Sequence, residues 1–485
     1  MSESPGMTGL ILNEPLLWER GKKGRSGYSL PPGDVPPSPL PPELRGDGPD
    51  LPDLSEIEVV RHYTRLSTWN FGVDTGLYPL GSCTMKYNPK INERLADLRG
   101  FAASHPLLPS FLSQGTLQLM FALERFLAEI TGLGAVTLQP AAGAQGELTG
   151  MLIVHAWHRS RGRQRTKILI PDTAHGTNPA SAALCGYAPV PVPSGPDGIL
   201  LPEVVARLMD GETAGIMITN PNTLGLFEEN IREVARIVHD RGGLVYGDGA
   251  NMNAVLGVVK PGAIGMDILH LNLHKTFSTP HGGGGPGAGP VAVRKDMVRF
   301  LPVPRVVEKD GIYALSEDFL ESVGRVLAFH GHFSVLLRAY AYILSMGPEG
   351  LKQASRLAVL NANYVRERLK DALHLAYDRP CMHECVFTDQ KQQVSGITTR
   401  EMAKRLMDYG YHPPTIYFPL VVKGAIMIEP TETETKEELD GFIEAFRAVV
   451  REVAENPLVI RDAPARCKVR RLDETAAARY PCLTG

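Results

Sequence analysis

The chain has little cysteine and no long apolar segment, and each absence excludes a class of protein. Its six cysteines form no repeated CxxC pairs, which argues against a disulfide framework and favours thiols in a reducing compartment. His383 lies between Cys381 and Cys385, but no second ligand pair follows, so we expect no metal there. Residues 1–15 lack a signal-peptide pattern, and no apolar run could cross a bilayer. We therefore expect a soluble, cytoplasmic protein that does not bind membranes.

The chain also lacks an excess of charge of either sign. Lysine and arginine number 50 against 53 aspartate and glutamate residues, a net charge of −3. This balance argues against bulk nucleic-acid binding. Hydrophobic residues make up 43% and charged residues 21%, as in ordinary globular proteins, and 485 residues suffice for two or three domains.

Changes of pattern along the chain predict four parts. Residues 1–114 form an N-terminal arm, in which the proline-rich segment 29–53 favours extended structure, either as an arm on a neighbour or as a linker. Helical and strand patterns alternate over 115–330, which is typical of a large α/β domain. Long helical patterns and a mixed stretch predict a smaller α+β domain over 331–461, and 462–485 forms a tail.

Short apolar runs bounded by glycine, proline, aspartate or asparagine predict buried strands of a mainly parallel sheet. These runs are 135–138, 167–170, 215–218 and 244–246. The segment 229–240 carries apolar residues on one helical face and predicts a crossover helix between the last two strands.

Lys275 is the most informative residue of the chain. It follows the apolar run 268–273 and precedes the glycine-rich segment 282–287. Lysine is almost never fully buried unless it is paired. An amine removed from water gives up its proton more readily and becomes a nucleophile able to form a Schiff base. The position therefore predicts a reactive lysine.

Two polar segments follow the first two predicted strands, at the edge where ligands of α/β sheets bind. Gly143, Ala144 and Gln145 lead into a helix whose N-terminus suits a phosphate, although such turns are common. His175 follows the strand 167–170 and could lie flat on an aromatic ligand. A histidine satisfied within a turn is an open alternative.

Polar residues follow the next two strands in the same way. Asn220 could donate to a phenolate oxygen, although Asn-Pro sequences also favour plain turns. Asp248 could bind a pyridinium N–H, or instead a metal or a ribose. Ala250 is small enough for a flat ring to pack against the backbone.

The order of these groups along the chain, each at a strand end, resembles the fold type I pyridoxal-phosphate enzymes, the aspartate-aminotransferase-like superfamily. The resemblance implies a large domain with a mainly parallel sheet and a smaller C-terminal α+β domain. It implies pyridoxal 5′-phosphate on Lys275, with Asp248 at the ring nitrogen. His274 would add a phosphate or substrate contact.

Four longer motifs are similar to glycine decarboxylase, the P-protein of the glycine cleavage system. They occupy 79–86, 174–181, 219–225 and 272–276, within a match over roughly 60–460. The chain resembles the C-terminal half of the long, single-chain form, and therefore subunit 2 of the split bacterial form. The resemblance implies a homologous subunit 1 as partner, with two copies of each subunit, and a lipoylated H-protein.

In that family glycine displaces the lysine from the cofactor, CO2 leaves, and the aminomethyl group passes to the lipoyl disulfide of the H-protein. The resemblance implies that Lys275 or His274 moves protons. Asp248 would stabilise the charge on the ring, His175 would stack on it, and residues 143–145 would hold the phosphate.

The same resemblance gives the loop Ser82-Cys83-Thr84 a role in holding the glycine carboxylate or bordering the lipoyl arm. A tight turn that packs the N-terminal segment is an equal alternative. Glycines 282–285 would leave room for the arm or serve a tight bend. A redox link between Cys83 and Cys482 is a weaker hypothesis.

Two other classes stay open. One is another fold type I enzyme, but residues 276–330 hold no cysteine for a desulfurase, and Arg400 and Arg405 lie in no recognisable setting for an aminotransferase. The second is a non-catalytic scaffold subunit, which would have no use for Lys275 and Asp248. A nucleotide-binding role of the glycine-rich loop is excluded because that loop follows the lysine instead of leading through GxxxxGK into a helix.

Overall fold

A computed structural model of the chain describes residues 14–28, 31, 33–36, 38–281 and 287–482. The prediction of extended structure at Pro32 and Pro37 concerns residues outside these ranges. So does the prediction that glycines 282–285 form a bend or leave room for the lipoyl arm. Residues 38–53 hold one short 3-10 turn, Pro42–Leu44, and are otherwise irregular and mostly exposed. Within the described ranges, the helices are all too short or too polar to span a membrane.

The strands and helices alternate through the middle of the chain, as the sequence predicts. The strands are β1 (Ala135–Thr137), β2 (Lys167–Pro171), β3 (Ala188–Val192), β4 (Thr213–Thr219), β5 (Leu244–Gly249), β6 (Ile268–Leu271), β7 (Val291–Val293), β8 (Arg305–Lys309), β9 (Ile312–Ser316), β10 (His374–Leu375), β11 (Cys385–Thr388), β12 (Thr415–Ile416) and β13 (Ala425–Ile428). The helices are α1 (Leu17–Arg20), α2 (Glu56–Ser67), α3 (Lys90–Ala96), α4 (Arg99–Ala102), α5 (Gln114–Thr131), α6 (Gly143–Ser160), α7 (Asn178–Leu184), α8 (Pro202–Leu208), α9 (Ile231–Asp240), α10 (Leu273–Thr276), α11 (Phe333–Leu369), α12 (Thr399–Asp408), α13 (Lys436–Glu455), α14 (Pro457–Arg461) and α15 (Glu474–Arg479).

The first seven strands form one sheet in the order β1-β7-β6-β5-β4-β2-β3. The neighbours from β6 to β3 are parallel, and β7 is antiparallel to both β1 and β6. Strands β4, β5 and β6 are buried along their whole length, because helices cover both faces of the sheet. The predicted mainly parallel sheet is therefore confirmed.

A second, smaller sheet has the order β10-β11-β13-β12 and is antiparallel throughout. Its apolar face packs with α12 and α13 in a core around Phe387, Phe442 and Phe446. Helix α11 joins the two sheets. Its first half packs against the large sheet and its second half against the small one.

Helix α11 is kinked at residue 347. Gly347 has φ 60° and ψ −180°, and Pro348 follows it. Glycine adopts a positive φ at little cost, and proline is well suited to the first turn of the helix that resumes there. The helix changes direction at this point and passes from one core to the other.

The segment before α3 crosses between the two sheets. Leu80 forms an isolated antiparallel bridge with Ile428 of β13. A few residues on, the buried ammonium of Lys86 donates to Glu432 at 2.7 Å, to Asn253 at 2.8 Å and to the carbonyl of Thr276 at 2.8 Å. Burial lowers the pKa of Lys86, but the charges of Glu432 and Tyr342 and the hydrogen bonds to them together outweigh burial, so the net shift is upward. This ammonium joins three parts of the chain.

Two leucine-to-alanine changes test where the core lies. Leu406 of α12 is fully buried, so Leu406→Ala removes its contacts and should lower the free energy of unfolding by about 2–5 kcal/mol. Leu320 is fully exposed, and Leu320→Ala should change that free energy by less than about 0.5 kcal/mol. Urea denaturation of both variants gives the comparison, and equal losses would contradict this placement of the small-sheet core.

Candidate functional site

The carboxyl ends of the parallel strands meet at one edge of the large sheet. Thr219 of β4 is paired in register with Asp248 of β5, and Asp248 with His270 of β6. The loop after β2 brings His175 to the same edge, because its N–H lies 3.3 Å from the Thr219 hydroxyl oxygen. Groups separated by many residues in sequence therefore share one space, as expected for a parallel sheet.

Lys275 lies four residues beyond the end of β6, in the single-turn helix α10 and not at the strand end that the sequence suggests. Its side chain is buried, and Nζ donates to the carbonyl oxygen of Ser82 at 2.7 Å. The neighbouring His274 accepts an N–H from Ala288 at Nδ1, at 3.3 Å. Burial lowers the pKa of His274 to about 3, so its ring is neutral and carries its proton at Nε2.

Asp248 is a buried carboxylate with one oxygen well bound and one weakly bound. Oδ1 accepts the N–H of Ala250 at 2.9 Å and lies 3.3 Å from Nε2 of His270. Tyr246 lies on the other side of that ring, with its hydroxyl 2.6 Å from His270 Nδ1. Oδ2 lies 3.4 Å from Asn178 Nδ2 and 3.5 Å from the Thr219 hydroxyl. Oδ2 can therefore accept a further donor.

His175 and Glu147 lie beside Asp248, and one side-chain donor or acceptor atom of each lies within 4.8 Å of the others. Thr177 links the two, because its hydroxyl donates to Glu147 at 2.7 Å and lies 2.9 Å from His175 Nδ1. Burial, and then the charge of Asp248, raise the pKa of Glu147 to about 7. Burial lowers the pKa of His175, which leaves a neutral, flat ring near neutral pH.

The predicted phosphate and phenolate contacts lie at the same edge. Helix α6 begins at Gly143, where a Cβ would lie 2.6 Å from Oδ1 of Asn272 and would displace that side chain. Ala144 is exposed at the next position, and Gln145 accepts the N–H of Ala141 at 2.7 Å. Asn220 accepts the N–H of Glu228 through Oδ1, while its buried Nδ2 has no partner among the described residues.

The loop Ser82-Cys83-Thr84 closes the site from the small-sheet side. The N–H of Ser82 donates to Glu384 at 2.7 Å, and the N–H of Thr84 donates to Glu429 at 2.9 Å. Burial raises the pKa of the Cys83 thiol to about 11, against the attraction of the Lys275 charge, so the thiol is protonated at neutral pH.

These groups fit a cofactor that carries an aldehyde, a ring nitrogen, a phenolic oxygen and a phosphate. The Lys275 amine suits the aldehyde, and the weakly bound oxygen of Asp248 suits a protonated ring nitrogen. The unpartnered donor of Asn220 suits the phenolic oxygen. A helix N-terminus offers free N–H groups and a partial positive charge to the phosphate.

The sequence locates most of these groups but misses several of their partners. Glu147 comes two residues after the predicted phosphate residues 143–145, and Asn178 lies within the motif 174–181, yet the sequence assigns neither a role. Glu147 follows Gly143 by one helical turn, and that spacing could have found it. Glu384 and Glu429 have no such local signal, because they come from the distant small sheet.

Two family models and several curated proteins match this chain. The family model for the glycine cleavage system P-protein matches residues 44–315, and the model for the glycine dehydrogenase C-terminal domain matches 354–463. A probable glycine dehydrogenase (decarboxylating) subunit 2 of Caldanaerobacter subterraneus subsp. tengcongensis is 55% identical, over 96% of this chain and 98% of its own. Its counterpart from Alkaliphilus oremlandii is 54% identical, over 96% of each chain.

Solved structures share the fold. A glycine decarboxylase (P-protein) of the glycine cleavage system, in inhibitor-bound form, superposes with a TM-score of 0.72 at 24% identity, covering 84% of this chain and 93% of that one. The TDC of Oryza sativa with PLP and tryptamine gives 0.65 at 13% identity, covering 86% and 92%. The predicted fold class is confirmed.

The raised pKa of Glu147 predicts a pH-dependent stability. Because the folded state holds this proton up to about pH 7 and the unfolded state releases it near 4.5, stability should fall as pH rises between these values. The loss is on the order of 3 kcal/mol, since one pKa unit corresponds to about 1.4 kcal/mol.

Glu147→Gln resembles the protonated side chain and should reduce this fall. Urea denaturation at pH 5 and pH 8 measures it, with Glu203→Gln on exposed α8 as the control that retains the wild-type slope. Equal slopes for Glu147→Gln and wild type would contradict the assignment.

Proposed function

The chain belongs to the glycine cleavage system P-protein family, and we propose that it is the glycine-decarboxylating subunit 2, with pyridoxal 5′-phosphate bound at Lys275. The observation that carries the proposal is the placement of the buried Lys275 amine at the sheet edge that also holds the buried carboxylate of Asp248. The enzyme removes CO2 from glycine. Neither the aminotransferase, the desulfurase nor the scaffold alternative is favoured by the relatives' names.

The bound cofactor supplies an electron sink that accepts the electrons released when CO2 leaves. Asp248 would hold the ring nitrogen protonated through Oδ2, while the Ala250 N–H and the His270 ring fix the position of the carboxylate. His175 would lie flat against the ring as a neutral imidazole. Burial keeps its pKa low, so it adds no positive charge beside the ring nitrogen.

The other contacts hold and orient the cofactor. Asn220 would donate through Nδ2 to the phenolic oxygen, and Gly143, Ala144 and Gln145 would offer the α6 N-terminus to the phosphate. His274 contributes a neutral N–H donor at Nε2, and its pKa of about 3 means that Nδ1 takes up no second proton at neutral pH. The proton transfers therefore fall to Lys275, whose Nζ is held by the Ser82 carbonyl.

Glycine enters beside the loop Ser82-Cys83-Thr84. The N–H groups of Ser82 and Thr84 are bound to Glu384 and Glu429. The hydroxyl of Thr84 is bound to Glu429 as well, so of the three predicted residues Ser82 and Cys83 have side chains left to contact the glycine carboxylate. Since burial keeps the Cys83 thiol protonated, this residue acts as a donor and not as a nucleophile.

The wider assembly is part of the same proposal. A homologous subunit 1 binds this chain, two copies of each, and a lipoylated H-protein accepts the aminomethyl group. A C–S bond forms as the lipoyl S–S bond breaks, and the second sulfur takes up a proton.

We also propose a cytoplasmic location, in keeping with the thiol state of Cys83, Cys185, Cys381, Cys385 and Cys467. The division at residues 114, 330 and 461 stays a prediction.

Borohydride reduction of the protein loaded with pyridoxal phosphate tests the cofactor site. The pyridoxyl label should map to Lys275 by mass spectrometry and disappear in Lys275→Ala. Lys86 is an internal control, because it is equally buried but paired with Glu432. A wild-type label anywhere but Lys275 would refute the cofactor assignment.

Exchange of labelled CO2 into glycine tests the reaction. Activity should require glycine, subunit 1 and lipoylated H-protein together, and Lys275→Ala should lose it. Lys167→Ala, a change of a partly exposed lysine paired with Asp210, should retain it. Preference for alanine or cysteine over glycine would refute the proposed substrate.

A further inference from the structure

Two fully buried carboxylates of the small sheet lie side by side against the site. Glu384 directly precedes β11 and Glu429 directly follows β13, and these strands are antiparallel neighbours with Cys385 opposite Ile428. Burial and mutual repulsion raise the pKa of Glu384, while the charge of Lys275 lowers it. Two carboxyl groups placed this close in the interior require donors, and the structure provides them from one short loop.

That loop is residues 82–84, which we call the clamp loop. The N–H of Ser82 donates to Oε2 of Glu384, and both the N–H and the hydroxyl of Thr84 donate to Glu429. Ser82 has φ 64° and Thr84 has φ 48°, a left-handed backbone that side-chain-bearing residues rarely adopt. Such a conformation persists where surrounding contacts impose it, and the two carboxylates make those contacts.

The clamp loop in turn holds the reactive amine. The carbonyl oxygen of Ser82 accepts the hydrogen bond from Lys275 Nζ at 2.7 Å. The same residue thus binds Glu384 through its N–H and Lys275 through its C=O. A shift of the loop would move the carbonyl and the amine with it.

We propose that Glu384 and Glu429 are positioning residues for Lys275, acting through the clamp loop. They fix the backbone of Ser82 so that its carbonyl holds the amine where it meets the cofactor aldehyde. The inference rests on the proposed role of Lys275 and extends it to the small sheet, which contributes no atom to the cofactor contacts described above. Misplacing a reacting group by about 1 Å can cost on the order of a hundredfold in rate.

The rate at which the apoprotein forms its Schiff base with pyridoxal phosphate tests this, followed by absorbance and by the borohydride-trapped fraction at Lys275. Glu384→Ala removes the acceptor for the Ser82 N–H and should slow the reaction roughly tenfold to a hundredfold. Glu384→Gln keeps an amide oxygen as acceptor and should recover most of the rate. This rescue distinguishes positioning from a need for charge.

Two further variants complete the design. Thr84→Val removes the hydroxyl bonded to Glu429 without changing side-chain shape, and should slow the reaction severalfold even if Glu384→Ala does not fold. Glu401→Ala is the control. It removes a carboxylate on the side of the small sheet that accepts the N–H of Thr398 at the start of α12. This change should lower thermal stability and leave the rate of Schiff-base formation unchanged.

The outcomes separate the two proposals. A wild-type protein with no label at Lys275 refutes the proposed cofactor site itself. If wild type is labelled at Lys275, and Glu384→Ala and Thr84→Val form the Schiff base as fast as wild type, the positioning role is refuted and the cofactor site is not. Equal slowing by Glu401→Ala would show that general loosening of the small sheet explains the effect, and would also overturn the positioning role.

Discussion

The burial of the Lys86 ammonium is the constraint on which the rest of the structure depends. A buried charge requires partners, and removal of one partner leaves an uncompensated charge in the interior. The partners of Lys86 come from Glu432 after the small sheet, Asn253 near the large sheet, and the backbone carbonyl of Thr276. The segment 77–86, both sheets and helix α10 are therefore held in one arrangement, with Lys275 immediately before one of these contacts.

The site follows from how that arrangement places acidic side chains around Lys275. Asp248 and Glu147 approach from the large sheet, and Glu384 and Glu429 from the small one. The histidines of the site are neutral, because burial keeps the pKa values of His270, His274 and His383 low. The amine is thus surrounded by acceptors and uncharged rings, so that it can be held in place and still react.

The predictions that succeeded depend on short stretches of chain. Strand β4 and helix α9 lie close to their predicted limits, because a buried strand and an amphipathic helix have distinct periodicities. His175, Asn220 and Asp248 meet at one edge because each follows a parallel strand, a geometry that sequence order already implies. The small displacement of Lys275 into α10 has a local cause as well, since Asn272 ends the strand and begins a helical turn.

The sequence by itself determined which reactive groups the protein carries and the order in which the large sheet presents them. Each of those groups lies within a few residues of the strand that positions it. Only the tertiary structure decided what holds them, because the clamp loop contacts Glu384 and Glu429 across 302 and 345 residues. No periodicity connects such distant positions, and a buried carboxylate next to an apolar strand has no local pattern of its own. Packing of the small sheet against the site supplies that information.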